Sequence, residues 1–309
     1  MVRDHSVKLF LILTVATFAC RFTAPASVSP MPVSVKETAA APAASIPSLT
    51  VEQLKNVQYQ LGTSDDHRVV QLTDGKYQQG TDTTTLDFAY IALTQFTAIG
   101  DLTGDGVDEA AAVFLENYGG TGNFGLLTIY ANVNGLPVFL TSTLIDDRPR
   151  VNSLSIENGV VFLDATIHGA NDGGCCPQLP TTQQYALVNN QLRLTNFTTK
   201  APSGDQRIID ITSPSNGTQA SGSVHVSGTV SIAPFENNLT YFIYDEAGNQ
   251  FAAGPLAVKA PDQGAPGTFD ENFTLAGISP GTTIYLEIQD QSAADGFLLA
   301  MDSVKIFVK

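Results

Sequence analysis

The sequence predicts an all-β protein: an antiparallel meander carrying one short helix, followed by a second, sandwich-like β region. Three observations predict it. Only 15% of the 309 residues are charged, against about 25% in an average soluble domain, and long surface helices need Glu, Lys and Arg. Asn-Gly pairs stand between apolar runs, at Asn134-Gly135 and Asn158-Gly159, where they supply the two positive-φ positions of a type I′ hairpin turn. Period-two alternation is clean over Val224, Val226, Gly228 and Val230, which buries one face of a strand. The length allows about two domains, each large enough to bury a core. Fifteen basic side chains against 30 acidic ones leave a net charge of −15. That argues against a nucleic-acid binder, which clusters Lys and Arg on phosphates. It favours solubility, with cations or neutral surfaces as partners.

Residues 1–20 read as a signal peptide. Arg3 and Lys8 form its positive end, and Leu9 to Phe18 an apolar run broken only by Thr14 and Thr17. The run is shorter than the roughly 20 apolar residues that span a bilayer. Thr17-Phe18-Ala19-Cys20 resembles a bacterial lipobox, in which Cys20 becomes the lipidated first residue; the alternative is cleavage after Ala24-Pro25-Ala26. Cysteine arithmetic favours lipidation, which disposes of the odd thiol and leaves Cys175 and Cys176. Two or more acyl chains anchor a protein stably, where one does not. Residues 21–47, rich in Ala, Pro and Ser, cannot bury a core and read as a disordered tether. The expected location is extracytoplasmic, as a membrane-anchored lipoprotein or a secreted protein.

The first folded region is expected over 48–200. Thr50 caps a short helix ending near Asn56, with Gln53 completing a capping box and Leu49 and Leu54 as its hydrophobic staple. Strands are expected at 67–72, 76–79, 86–98, 109–116, 124–133, 136–145, 151–157, 159–167, 182–188 and 191–197. Asn189-Asn190 makes a further hairpin turn.

Asp101-Leu102-Thr103-Gly104-Asp105-Gly106-Val107-Asp108-Glu109 places side-chain oxygens at alternate positions 101, 103 and 105. That spacing lets oxygens converge on one hard cation, with Asp108 or Glu109 closing the shell and the Val107 carbonyl between them. The loop resembles the calcium loop of FG-GAP repeats and, more loosely, the first half of an EF-hand, and the resemblance implies calcium. Thr103 stands where the repeats carry Asn or Asp, and only one copy is present. The other reading is a metal-free Gly/Asp turn.

Two more loops stand out. Tyr118 to Asn123 is glycine-rich but precedes a strand rather than a helix, so it reads as a wide hairpin loop and not a phosphate cradle. His168 to Pro177 contains adjacent Cys175 and Cys176. Its spacing is unlike a zinc site. Three readings stay open: a vicinal disulfide, two reduced buried thiols, or a thiol enzyme or hydrolase pairing a cysteine with His168.

After a boundary near 196–206, strands are expected at 207–212, 223–230, 241–245, 250–258, 267–275, 282–290 and 297–308. About seven strands in about a hundred residues is the count of an immunoglobulin-like sandwich. Residues 206–309 also resemble the immunoglobulin-like domain of bacterial spore germination. The stretches that carry the likeness are Ile211-Thr212-Ser213-Pro214-Ser215-Asn216-Gly217, Val226-Ser227-Gly228-Thr229-Val230, Phe235 to Tyr241, Gly267-Thr268-Phe269 and Ser292 to Gly296. The resemblance implies an exported, non-catalytic sandwich, and no catalytic residues carry over.

No Gly-x-Ser-x-Gly elbow and no His-Glu-x-x-His pair is present. The expectation is a non-enzymatic envelope protein that binds or scaffolds through β surfaces. Its partner would be an envelope protein or polysaccharide, with a lipid anchor to the membrane and no nucleic acid. The alternatives are a calcium-dependent carbohydrate- or peptidoglycan-binding module and, behind it, the enzyme centred on His168 and Cys175–Cys176.

Overall fold

Thr50 opens α1 (Val51–Leu54) in this computed structural model, which describes residues 46–64 and 67–309. The export segment, Cys20 and nearly all of the tether lie outside the described residues. The Thr50 hydroxyl accepts from the Gln53 amide while Gln53 Oε1 accepts from the Thr50 amide. This is the expected capping box, and Leu49 and Leu54 are both buried beside it. The helix stops two residues earlier than expected, at a Lys55 cap.

The strands that follow form a hairpin and then a meander. β1 (Gln58–Gln60) pairs β2 (Val69–Gln71). β3 (Lys76–Gln79), β4 (Ala89–Gly100), β5 (Glu109–Asn117), β6 (Phe124–Val133) and β7 (Leu136–Asp147) make one antiparallel sheet in chain order. β8 (Arg150–Glu157), β9 (Val160–Ile167), β10 (Leu179–Val188) and β11 (Gln191–Lys200) continue the pattern in a second sheet. Asn134, Asn158, Asn189 and Asn190 all have positive φ, as their hairpin turns require. Leu86, expected inside β4, is fully exposed ahead of it. The Asp82 carboxylate takes the Thr84 amide and hydroxyl, and that turn keeps the chain off the sheet until Ala89.

Two cores flank the five-stranded sheet. On one face Val113, Leu127 and Ile129 pack against Val161, Leu163, Ala165 and Phe197 of the second sheet. On the other, Phe114 and Tyr130 pack under Leu54, Tyr59 and Leu72. β5 is therefore buried on both faces, which is why its sequence is a near-continuous apolar run rather than an alternation.

The remaining elements are β12 (Gln206–Arg207), β13 (Ile209–Ser213), β14 (Thr218–Ala220), β15 (Ser223–Val230), β16 (Asn238–Asp245), β17 (Gln250–Ala257), β18 (Gly267–Thr274), β19 (Thr283–Gln291) and β20 (Leu298–Val308). The sheet β13-β15-β18 faces β17-β16-β19-β20. Val226, Phe269 and Phe273 from the first meet Ile243, Leu286, Ile288 and Val304 from the second. Each such buried side chain contributes about 1.5–3 kcal/mol. Among the described residues the chain is all-β with one short α-helix, and this half is an immunoglobulin-like sandwich. β20 also pairs β11, through Asn196↔Asp302 and Phe197↔Met301, so one sheet runs from β17 to β8. Met301 belongs to the β5–β6–β9 core while Val304 and Ile306 belong to the sandwich core.

Candidate functional site

The 101–109 loop is organised by its own amides. Asp101 Oδ1 accepts from Thr103 N at 3.1 Å and Gly104 N at 2.7 Å, and Oδ2 from Gly106 N at 2.8 Å. The Gly106 amide foremost, then the Gly104 amide, holds its carboxyl below the usual range. Asp105 accepts from Val107 N, Asp108 from the Ser48 hydroxyl at 2.6 Å, and buried Glu109 from Leu102 N at 2.9 Å. Desolvation raises the Glu109 pKa. Gly104 and Gly106 have φ of 78° and 83°, conformations that glycine adopts without a Cβ penalty. Among the described residues no three His, Cys, Asp or Glu side chains are gathered as a metal-binding group. The carboxylates of Asp101, Asp105 and Glu109 are taken up by amides of the loop itself, and that of Asp108 by Ser48 outside it.

His168 meets a residue that no spacing pointed to. Asp146 Oδ2 accepts from the His168 backbone N at 2.5 Å and lies 2.8 Å from Nδ1. Nε2 is buried without a partner. Asp172 closes the following loop by accepting from Gly169 N and Gln178 N, which also depress its pKa. Cys175 and Cys176 are exposed and joined by a disulfide. A disulfide offers no thiolate, so in this form His168 and Asp146 lack a nucleophile from the cysteine pair.

A larger feature lies on the outer face of β9, β10 and β11. Odd positions point into the core: Leu163, Gln183, Tyr185 and Phe197 are buried. The buried polar groups satisfy one another, Tyr185 Oη donating to Gln183 Oε1, Gln183 Nε2 to Thr181 Oγ1, and Thr181 Oγ1 to the Ala165 carbonyl. Thr182, Gln184, Asn196 and Thr198 alternate with these and face outward, and register sets Thr182 beside Thr198 and Gln184 beside Asn196. The sandwich rises alongside, with Asp210, Thr229 and Lys259 forming a wall. Ser231 fixes that wall to the chain entering the sandwich, donating to the Gln206 carbonyl and accepting from Ile208 N. Between floor and wall lies a cavity of about 800 Å³, within the ~300–1,000 Å³ of ligand pockets.

This cavity has two neighbours that share its residues. One of about 320 Å³ shares Thr182, Thr198 and Gln206 and reaches Asp164 and Lys200. The other, about 240 Å³, shares Gln184 and Asn196 and reaches Asp302 and Lys305. Asn196 Nδ2 donates to Asp302 Oδ1 at 3.0 Å, and Asp302 Oδ2 accepts from Ile211 N at 2.8 Å, so this end is rigidly built. Burial raises the Asp302 pKa. None of the floor residues was singled out from sequence. The available signal was the Thr-Thr-Gln-Gln run at 181–184, polar on both parities of a strand.

No curated relative matches the chain. Residues 208–297 match the model of a family described as the immunoglobulin-like domain of bacterial spore germination. The match runs from β13 into the loop after β19 and stops before β20, so the stretch that builds most of the sandwich and the wall of the groove is similar to that domain.

Proposed function

We propose that the chain is a non-enzymatic, exported cell-envelope protein that binds its partner on a β-sheet surface, with the polar groove beside the sandwich as its site. The observation that carries this reading is the groove. It is a cleft of ligand-pocket size whose floor is hydroxyl and amide side chains on a rigid sheet. Binding sites of this kind orient a ligand by placed polar groups. The family matched by residues 208–297 is one of immunoglobulin-like domains. Export and anchoring rest on Arg3, Lys8, the Leu9–Phe18 run and Cys20. Fatty-acid labelling that disappears in Cys20→Ala supports the anchor, and an unlabelled mature protein removes it. Capture of a defined component from envelope extracts supports the binding role. Reproducible turnover in a hydrolase panel, abolished by His168→Ala, overturns it.

Calcium is a second, narrower reading. Four carboxylates, Asp101, Asp105, Asp108 and Glu109, lie within nine residues, with Thr103 and the Val107 carbonyl between them, and Asp101 is held toward its ionised form. Heat on titration with calcium and a higher Tm support it. No heat and an unchanged Tm leave only the turn.

A further inference from the structure

We infer that the three adjoining cavities form one binding groove for a linear, uncharged polysaccharide lying extended along β10. The inference rests on the binding role proposed above and adds the class of ligand.

The first argument is shape. The cavities adjoin one another, sharing Thr182, Thr198 and Gln206 at one boundary and Gln184 and Asn196 at the other. They follow β10 from Pro180 to Val188, about 27 Å at ~3.4 Å per residue. A small metabolite would fill one cavity and leave the others empty, whereas an extended polymer occupies all three.

The second argument is hydrogen-bonding type. The floor is the face of a sheet, so its backbone N–H and C=O groups are already paired with neighbouring strands. An extended peptide is recognised through an open strand edge, and β10, paired with β9 on one side and β11 on the other, presents none to a ligand lying along it. What the floor offers is Thr hydroxyls and Gln and Asn amides. Each combines donor and acceptor in one side chain, matching neighbouring sugar hydroxyls that donate and accept together.

The third argument is charge. Lys200, Lys259 and Lys305 border the groove, and so do Asp164, Asp210 and Asp302. The groove is therefore balanced within a chain whose net charge is −15. A polyanion would meet the acidic field of the whole molecule without a basic track to offset it. An apolar ligand would strip water from the floor without replacing its hydrogen bonds.

The test uses the purified full chain and a panel of neutral linear hexasaccharides of chitin, cellulose, xylan and starch type. The matching disaccharides and a Gly/Ser hexapeptide are run beside them. Titration calorimetry is expected to show at least one hexasaccharide binding roughly tenfold or more tighter than its disaccharide, since several subsites act together. Gln184→Ala, and separately Thr182→Val with Thr198→Val, should weaken it by about fivefold each while leaving the melting temperature within the scatter of wild type. Three results overturn the inference: no hexasaccharide bound, equal affinity in the groove variants, or tighter binding of the hexapeptide. If the chain binds none of the sugars yet still captures an envelope component, the groove assignment fails and the binding role stands. Failure of both assays removes both.

Discussion

Glu116 shows what a single residue does in this fold. It lies fully buried near the end of β5. Its carboxylate accepts from Tyr59 Oη at 2.8 Å, Gly62 N at 2.7 Å, Thr63 N at 2.9 Å, Thr63 Oγ1 at 2.5 Å and Tyr118 Oη at 3.0 Å. It thereby ties the segment after β1 and the loop after β5 to one point. Glu116→Ala strands these donors, and the expected loss is about 3–5 kcal/mol in urea unfolding; Glu116→Gln, which keeps an acceptor oxygen, loses less. A carboxylate closing the run from Ala110 to Leu115 was a visible anomaly in the sequence. Apart from Tyr118, its partners were not visible, because Tyr59, Gly62 and Thr63 lie more than fifty positions away. The same holds for His168, whose neighbour Asp146 is 22 positions upstream.

Gly228 carries an argument about the elements around it. A Cβ there would lie 2.2 Å from the Asp210 carbonyl oxygen and 2.3 Å from Phe269 Cζ. β15 is thus held against the β13 backbone on one side and the Phe269 ring on the other. Gly228→Ala forces one of these apart, and thermal unfolding should show a loss of about 1–3 kcal/mol. Most strands were legible because turn chemistry marks their ends: the Asn-Gly and Asn-Asn turns, and the Asp245 turn whose carboxylate takes the Ala247 and Asn249 amides. The strands β1, β12 and β14 were not, since two or three residues show no periodicity. The groove was illegible for another reason. Parity tells which side chains leave the core, but the wall belongs to a different sheet, and only tertiary packing sets it beside β10.

At the scale of the whole molecule, the contacts between β11 and the sandwich decide how the two halves respond. Arg193 on β11 pairs with Glu287 on β19 at 2.5 Å, with side chains only 15% and 10% exposed, and its guanidinium lies 4.3 Å from the Tyr285 ring centroid. Arg193→Ala leaves Glu287 buried without its cation, at an expected cost of about 3–5 kcal/mol, while Arg193→Met combined with Glu287→Leu should recover most of it. Calorimetry of the two variants checks this. Stability should also peak on the acidic side of neutrality. Burial raises the pKa of Asp290, Asp302 and Glu109. The folded chain therefore holds protons on them that the unfolded chain releases, and stability rises as pH falls from 7 toward these raised values. Asp101, Asp147 and Asp172 are depressed, by the Gly106 amide, by Arg148 and by the Gly169 amide respectively. Their contribution is present above the ordinary aspartate value of about 3.9 and is lost as pH drops below it. Tm measured from pH 7 to 3 should rise and then fall; a monotonic fall from pH 7 contradicts the assignment.

One pairing in the sandwich bears on tension. β14 runs parallel to β20, with Thr218 opposite Ile306 and Ala220 opposite Val308, while the other strand pairs among the described residues are antiparallel. Pulling residues 206 and 309 apart draws these two strands past each other lengthwise. Their hydrogen bonds then bear the load together instead of unzipping one by one. Single-molecule extension between residues 206 and 309 should find the sandwich yielding at higher force than when it is pulled across the β16–β17 hairpin.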